Sequence, residues 1–146
     1  MNSSLIIREA VLADAEEICT VNRDSLGYDF PLESVRERLS CILNSPRYKV
    51  LVAEHNGKVI GCIQGADHDG LYFEPMKDVV GLAVLDEAKG LGAGRKLLEA
   101  VEQWAKDCGC AGVRLESGME RLPAHAFYEH CGYARGKDHK RYTKFF

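Results

Sequence analysis

Gly81-Leu82-Ala83-Val84-Leu85 is an unbroken apolar run, and Lys89-Gly90-Leu91-Gly92-Ala93-Gly94 follows it closely. The run from 78 to 85 predicts a strand in the centre of a sheet. The residues after Gly94 predict a helix, since apolar side chains recur there on one face. The first N–H groups of such a helix lack partners within it, and the helix dipole adds positive charge. Because glycines let a bulky group approach the backbone, this stretch predicts an anion-binding turn.

Two common phosphate-binding motifs do not fit this turn. A P-loop needs Lys-Ser or Lys-Thr after its last glycine, whereas Gly94 is followed by Arg95 and Lys96. The dinucleotide fingerprint needs a third glycine five residues after the first, where this chain has Arg95 or Leu97. An acyl-CoA pyrophosphate turn and a tight turn without any ligand both remain open at this point.

The rest of the chain predicts a mixed α/β protein. We expect a strand at 5–8, a helix at 14–26 stopped by Gly27, and a second helix beginning near Pro31. Asn56-Gly57 predicts a tight turn joining strands at 48–54 and 58–66. Beyond the glycine-rich turn we expect a strand at 113–117, a helix at 123–131, and one or two closing strands from Tyr133 onward. The order of these elements predicts a layered α/β fold.

Composition narrows the classes of partner. The chain has 146 residues, of which 46% are hydrophobic and 28% charged, with a net charge of −3. This size predicts a single domain over 1–146. The net charge disfavours nucleic-acid and membrane partners, and the first residues do not resemble a secretion signal, so we expect a cytoplasmic protein. The six cysteines lack the spacing of a zinc site, so we expect reduced thiols and no metal.

Two motifs in the expected order resemble those of the GNAT superfamily of acetyl-CoA-dependent N-acetyltransferases. The first is the turn from Lys89 to Gly94, in which Lys89 replaces the usual Gln or Arg. The second is Ala124-His125-Ala126-Phe127-Tyr128-Glu129-His130-Cys131-Gly132-Tyr133. The resemblance implies the GNAT fold, in which helices flank a central, mixed but mostly antiparallel sheet. Arg121 stands where the family often has an asparagine that contacts the cofactor.

The resemblance also implies roles for individual residues. It makes Tyr128 the general acid for the leaving thiolate, and it suggests Asp78 as the general base. Glu116, Glu74, Asp69 and His68 are rivals for the base, and bound water is another. His125 and His130 lie on the last helix, where a lone histidine is more often a surface or capping residue than a catalyst. The residues implied to bind acetyl-CoA are Leu82, Ala83, Val84, Lys89, Gly90, Leu91, Gly92, Ala93, Gly94, Arg95 and Arg121.

The implied reaction moves an acetyl group from acetyl-CoA to the primary amine of a small molecule or peptide. The amine would attack directly in a ternary complex. An acidic set in the loops would suit a cationic acceptor: Asp24, Asp29, Asp67, Asp69 and Glu74, with Tyr28 beside them. Two alternatives stay open, a non-catalytic acyl-CoA-binding domain and a nucleotide-binding regulator. The sequence leaves the oligomeric state open, with a homodimer as one option.

Overall fold

The computed structural model describes residues 4–146, whose contacts divide into two units, the first ending at Glu116 and the second covering Ser117–Phe146. Each unit is described by itself, and the single-domain assignment stays a prediction. The first unit contains β1 (Leu5–Glu9), α1 (Ala15–Leu26), α2 (Leu32–Leu43), β2 (Tyr48–His55), β3 (Lys58–His68), β4 (Met76–Val84), α3 (Ala93–Asp107) and β5 (Gly112–Leu115). Short 3₁₀ turns, Leu12–Asp14 and Asp86–Ala88, precede α1 and follow β4.

The five strands form one sheet in the order β1-β2-β3-β4-β5. The first three pairings are antiparallel and the last, between β4 and β5, is parallel. This confirms the expected mixed, mostly antiparallel sheet. The β3–β4 register shifts between Gln64 and Gly65, which pair with Gly81 and Val79, so Val80 is an extra residue on β4. Such a β-bulge bends its strand and increases the local twist.

Helices cover both faces of the sheet. On β3, Gly61 and Gly65 face α3, because a Cβ at Gly65 would lie 2.9 Å from the Trp104 ring. Cys62, which has the opposite parity, instead contacts Asn22 of α1. Large side chains that are almost fully buried fill the two interfaces: Val21, Val52, Val59, Ile63, Leu97, Leu98 and Val101. The sheet therefore has a packed layer on each side, as the apolar β4 sequence predicts.

Most predicted helix and turn signals are confirmed. Gly27 ends α1 in the left-handed conformation, with φ of 77°, and its N–H donates to the Arg23 carbonyl. Pro31 precedes the first residue of α2. Asn56 and Gly57 have φ of 53° and 79°, as the tight hairpin between β2 and β3 requires. In the described residues, none of the helices is long and apolar enough to cross a membrane.

The second unit differs from the expectation at its end. It contains α4 (Leu122–His130), which has Pro123 in its first turn, and the chain turns at Gly132 with φ of 95°. The predicted closing strands are wrong, since described residues 133–146 form neither helix nor strand. The segment 134–141 is Ala-Arg-Gly-Lys-Asp-His-Lys-Arg, which has no alternating apolar face to bury. Tyr142, Phe145 and Phe146 are consequently exposed.

A part-buried ion pair joins β1 to the start of α1, and it gives a stability prediction. Arg8 donates to both Asp14 carboxylate oxygens at 2.8 and 2.9 Å, and the Val11 N–H donates to the same carboxylate at 2.8 Å. The Arg8 hydrogen bond holds the pKa of Asp14 below its ordinary value, against the opposing effect of burial. We expect Asp14→Ala to lower the free energy of unfolding by about 1–3 kcal/mol at pH 7, since it removes a buried charged acceptor that the Arg8 guanidinium and the Val11 N–H share.

Urea unfolding at several pH values checks this prediction. A carboxyl whose pKa is lowered by folding stabilises the protein above its unfolded pKa, near 4, and that contribution disappears as the pH falls through the lower folded value. The gap between wild type and Asp14→Ala should therefore narrow in acid. Asp24→Ala is the matched control, because Asp24 and its partner Arg23 are both about half exposed. An equal loss in both variants would contradict the assignment.

Candidate active site

The glycine-rich turn has the geometry of an anion site. Gly90 and Gly92 have φ of 99° and 79°, and a Cβ at either position would meet nothing within 4 Å. The first backward hydrogen bond of α3 runs from the Lys96 N–H to the Gly92 carbonyl at 3.0 Å. The N–H groups of Ala93, Gly94 and Arg95 precede that bond, so they lie in the turn of the helix that lacks intrahelical acceptors. The space that they border is open to a ligand.

Side-chain charge around the turn is modest. The Lys89 ammonium is 3.0 Å from Asp86, and both side chains are largely exposed. Arg95 and Lys96 are exposed, and so is Leu91, which lies between the two glycines of the turn. Asp86 offsets the Lys89 charge, so Arg95 and Lys96 add side-chain charge to the attraction of the backbone N–H groups and the helix dipole for an anion.

One edge of β4 is open beside this turn. The β4–β5 pairing covers only Met76 to Val79, and the bulge at Val80 follows at once. The Val84 N–H donates instead to the Ser25 hydroxyl of α1 at 3.3 Å. The Leu85 N–H donates to the Ile60 carbonyl of β3. Backbone groups of successive strand residues point to opposite edges of the strand, so those of Ala83 also point to β3. The backbone groups of Leu82 and Val84 point to the open edge. Of the three predicted backbone contacts, Leu82 and Val84 are directed at this edge.

Asp78 lies on β4 before the bulge, opposite Arg114 of β5. The Arg114 guanidinium donates to Asp78 at 2.7 Å and to Glu116 at 2.8 Å. Arg114 thus links the favoured base to its main rival. The sequence carries a weak signal for this link, because Arg114 and Glu116 are separated by one residue and share a strand face.

The other rivals for the base have their own surroundings. The His68 ring stacks on Phe73 with centroids 4.9 Å apart, and Arg47 donates to Asp69 at 3.2 Å. Glu74 is exposed on the β3–β4 loop. In the second unit, His125 Nε2 lies 2.7 Å from the Gly118 carbonyl, and His130 is exposed. Three of these five side chains, His68, Asp69 and His125, therefore have a partner within the protein, and the Asp69 carboxylate is ion-paired as Asp78 is.

Tyr128 lies on α4 in the second unit, half-buried among aromatic rings. Its ring centroid is 5.3 Å from that of Phe127 and 6.2 Å from that of Tyr133. Burial raises the pKa of Tyr128 above its ordinary value, and the positive charge of Arg121 partly opposes the shift. Arg121 itself is exposed immediately before α4. The phenol is therefore protonated at neutral pH, as a general acid must be.

The acidic set expected to attract a cationic acceptor is mostly paired within the protein. Asp67 lies 2.5 Å from the buried Lys77 ammonium, and Arg47 contacts Asp69. Burial is the largest single influence and lowers the pKa of Lys77, but the hydrogen bond to Asp67 and the negative charge of its surroundings together outweigh burial, so the pKa is raised. The Lys77 ammonium also lies 4.0 Å from the centre of the Trp104 ring. Asp67 and Asp69 thus serve the fold, which reduces the negative charge left for a ligand.

All six cysteines are free thiols; Cys62 is buried and the others are half-buried or exposed. Burial raises the pKa of Cys62 to about 12, so that thiol is unreactive. Among residues 4–146, no group of three His, Cys, Asp or Glu side chains could hold a metal ion.

Comparison with known proteins identifies the family. Residues 15–133 match the model of the acetyltransferase (GNAT) family. The chain is 30% identical to an aminoglycoside N(6')-acetyltransferase type 1 of Stenotrophomonas maltophilia, over 90% of this chain and 87% of the relative. It is 34% identical to an IAA acetyltransferase of Azospirillum brasilense, over 92% and 86% of the two chains.

A solved structure agrees on the fold. AAC(6')-Iy in complex with the bisubstrate analog CoA-S-monomethyl-acetylneamine aligns with a TM-score of 0.87, over 99% of this chain and all of that one. Its sequence is 20% identical, so this likeness bears on the fold alone. The family match and the two relatives together decide the enzyme class over a non-catalytic domain, and the chain belongs to the acetyltransferase (GNAT) family.

Proposed function

We propose that this acetyltransferase moves the acetyl group of acetyl-CoA to the primary amine of a small molecule, by direct attack in a ternary complex. The observation that carries the proposal is the anion-binding turn at the start of α3, next to the open edge of β4. A pyrophosphate fits the turn, and the extended, amide-containing arm of CoA fits a strand edge. The named relatives of the chain support an amine or a similar small acceptor.

The cofactor would be held mainly by backbone groups. In this proposal the turn from Lys89 through Gly90, Leu91, Gly92, Ala93, Gly94 and Arg95 binds the pyrophosphate, with Arg121 as a further phosphate contact. Leu82 and Val84 pair with the CoA arm, and Ala83 lies between them. The Val84 N–H would exchange the Ser25 hydroxyl for the ligand. A free N–H directed at the thioester carbonyl stabilises the negative charge that develops on its oxygen.

The proposed reaction balances as follows. The amine nitrogen attacks the thioester carbon to form a C–N bond, and the C–S bond breaks. The proton lost by the amine goes to Asp78 or to water, and the departing thiolate receives the Tyr128 proton. Since a phenol has a reference pKa near 10 and a thiol near 8.5, Tyr128 stays protonated at neutral pH yet can serve the thiolate through its hydrogen bond.

Ligand-dependent melting tests the cofactor assignment. Ligand that binds only the folded state raises the melting temperature by mass action. We expect acetyl-CoA to raise it, and ATP and NAD to leave it unchanged. A shift with ATP or NAD alone would favour the nucleotide-binding regulator. A shift with acetyl-CoA but no thiol release with any amine would favour a non-catalytic domain.

The cytoplasmic location and the homodimer remain predictions.

The base is tested by its pH dependence. An ammonium acceptor has a reference pKa near 10, so little free amine exists at pH 7 and a base should help most at low pH. We expect Asp78→Asn to lower kcat about 100-fold or more at low pH, with recovery as the pH rises and the amine deprotonates in solution. The measurement is a pH–rate series with one working acceptor.

Glu116→Gln is the matched variant, because both carboxylates bind the same Arg114 guanidinium. A loss of positioning through Arg114 would affect both variants at every pH. A selective low-pH loss in Glu116→Gln would transfer the role to Glu116. A wild-type profile in both would leave proton removal to water.

A further inference from the structure

A cavity of about 290 Å³ lies between α1 and the start of α2. Its lining consists of Cys19, Asn22, Tyr28, Phe30 and Val35. Tyr28 and Phe30 are 65% and 51% exposed, which is high for aromatic side chains that lie together in a concave surface. Exposed aromatic rings lining a cavity indicate a ligand-contact surface.

The α1 face that lines this cavity leads to the open edge of β4. Cys19, Asn22 and Ser25 recur every three residues, so each neighbours the next on the helix surface. Ser25 contacts the Val84 N–H, and the Asn22 amide oxygen contacts Cys62 of β3. Asn22 and Ser25 are separated by about 4.5 Å along the helix axis. A ligand in the cavity would therefore need only a short linker between its body and its amine to reach the proposed acetyl position.

We infer that the acceptor is a compact amine that carries an aromatic or apolar body and a single ammonium group, and not a polycation. This inference rests on the proposed function and names the substrate class of that site. The cavity is at the lower end of the range for small-molecule sites, about 300–1,000 Å³, which suits a body of one or two rings. The two exposed rings would stack on that body.

The charges nearby match one ammonium and not several. None of the lining side chains is a carboxylate. Asp24 pairs with Arg23, while Asp67 and Asp69 pair with Lys77 and Arg47. Asp29, between the two aromatic residues in sequence, is exposed and matches one positive charge. An aromatic face can hold a single ammonium, whereas further ammonium groups find no carboxylate in the lining to bind them.

A panel of amines tests the substrate class. Thiol release from acetyl-CoA is followed with phenethylamine and tryptamine, with ethanolamine as an amine lacking a ring, and with spermidine and neamine as polycations. We expect kcat/KM to be at least about tenfold higher for the arylalkylamines than for either polycation, a difference of about 1.4 kcal/mol. A preference for neamine or spermidine would overturn the inference and leave the proposed function standing.

Variants locate the effect in the cavity. Tyr28→Ala and Phe30→Ala should each lower kcat/KM for phenethylamine about tenfold or more and change the value for ethanolamine little. Tyr48→Ala is the control, since Tyr48 is an exposed aromatic residue at the start of β2. An equal loss for both amines, or an equal loss in Tyr48→Ala, would overturn the assignment.

Binding separates this inference from the proposed function. Saturation-transfer NMR with CoA and phenethylamine needs no turnover. If no amine releases thiol, the proposed function fails; a transfer signal that is lost in Phe30→Ala would still support the aromatic amine, and the absence of a signal in wild type would overturn it.

Discussion

Gly92→Asp should abolish acetyl-CoA binding in a protein that still folds. Gly92 immediately precedes α3, with φ of 79° and open space where a Cβ would stand. An aspartate there places negative charge among the N–H groups proposed to hold the pyrophosphate. Juxtaposed like charges cost several kcal/mol, so we expect Kd to rise about 100-fold or more. Isothermal titration calorimetry with acetyl-CoA measures it.

Gly109→Asp is the matched control for this variant. Gly109 has φ of 72° and is equally free of neighbours, but it follows the C-terminal end of α3. Both variants therefore add the same charge and the same backbone strain, and they differ in the end of the helix that receives them. Gly92→Asn separates charge from bulk. Unchanged affinity in folded Gly92→Asp, or an equal loss in Gly109→Asp, would contradict the proposed pyrophosphate site.

Tyr128→Phe should lower kcat by a factor of about 100 to 10,000 while acetyl-CoA affinity changes little. The substitution keeps the ring that packs beside Phe127 and Tyr133 and removes only the hydroxyl. Since burial raises the pKa of Tyr128 above its ordinary value, wild-type activity should also persist to a higher pH than an ordinary phenol would allow before loss of this proton limits it. Steady-state kinetics over pH 6–11 measures both effects.

Tyr142→Phe provides the comparison for the hydroxyl. Tyr142 belongs to the same unit but is exposed in the segment after α4, so its loss should leave kcat unchanged. Wild-type turnover in Tyr128→Phe would return Tyr128 to the role of a packing residue. The same conclusion would follow if the substitution lowered the melting temperature enough for unfolding to account for the lost activity.

The strong signals in the sequence were local ones. Gly27, Asn56 and Gly57 each occupy a position that requires positive φ, and α3 begins at Ala93, inside the predicted turn and two residues earlier than predicted. These features depend on a few neighbouring residues, which is why the sequence shows them. The mixed sheet followed from the family resemblance and is confirmed by the strand order.

The features that the sequence did not show depend on residues far apart in the chain. The extra residue at Val80 is visible only when β4 is aligned with β3. The contact between Ser25 and Val84, and the pairing of Asp67 with Lys77, join different elements. The predicted closing strands do not form in the described residues, because the charged run before Tyr142 has no alternating apolar face and the apolar residues at 142, 145 and 146 do not supply one. The fold could thus be predicted better than the ion pairs that the acidic residues expected at the acceptor site make.

Initial-rate kinetics with both substrates varied tests the central claim most directly. Direct attack in a ternary complex predicts thiol release that requires both acetyl-CoA and the amine, with double-reciprocal lines that intersect as the second substrate is raised. Parallel lines would indicate a covalent acetyl-enzyme intermediate. Parallel lines, or thiol release that does not depend on the amine, would contradict the account.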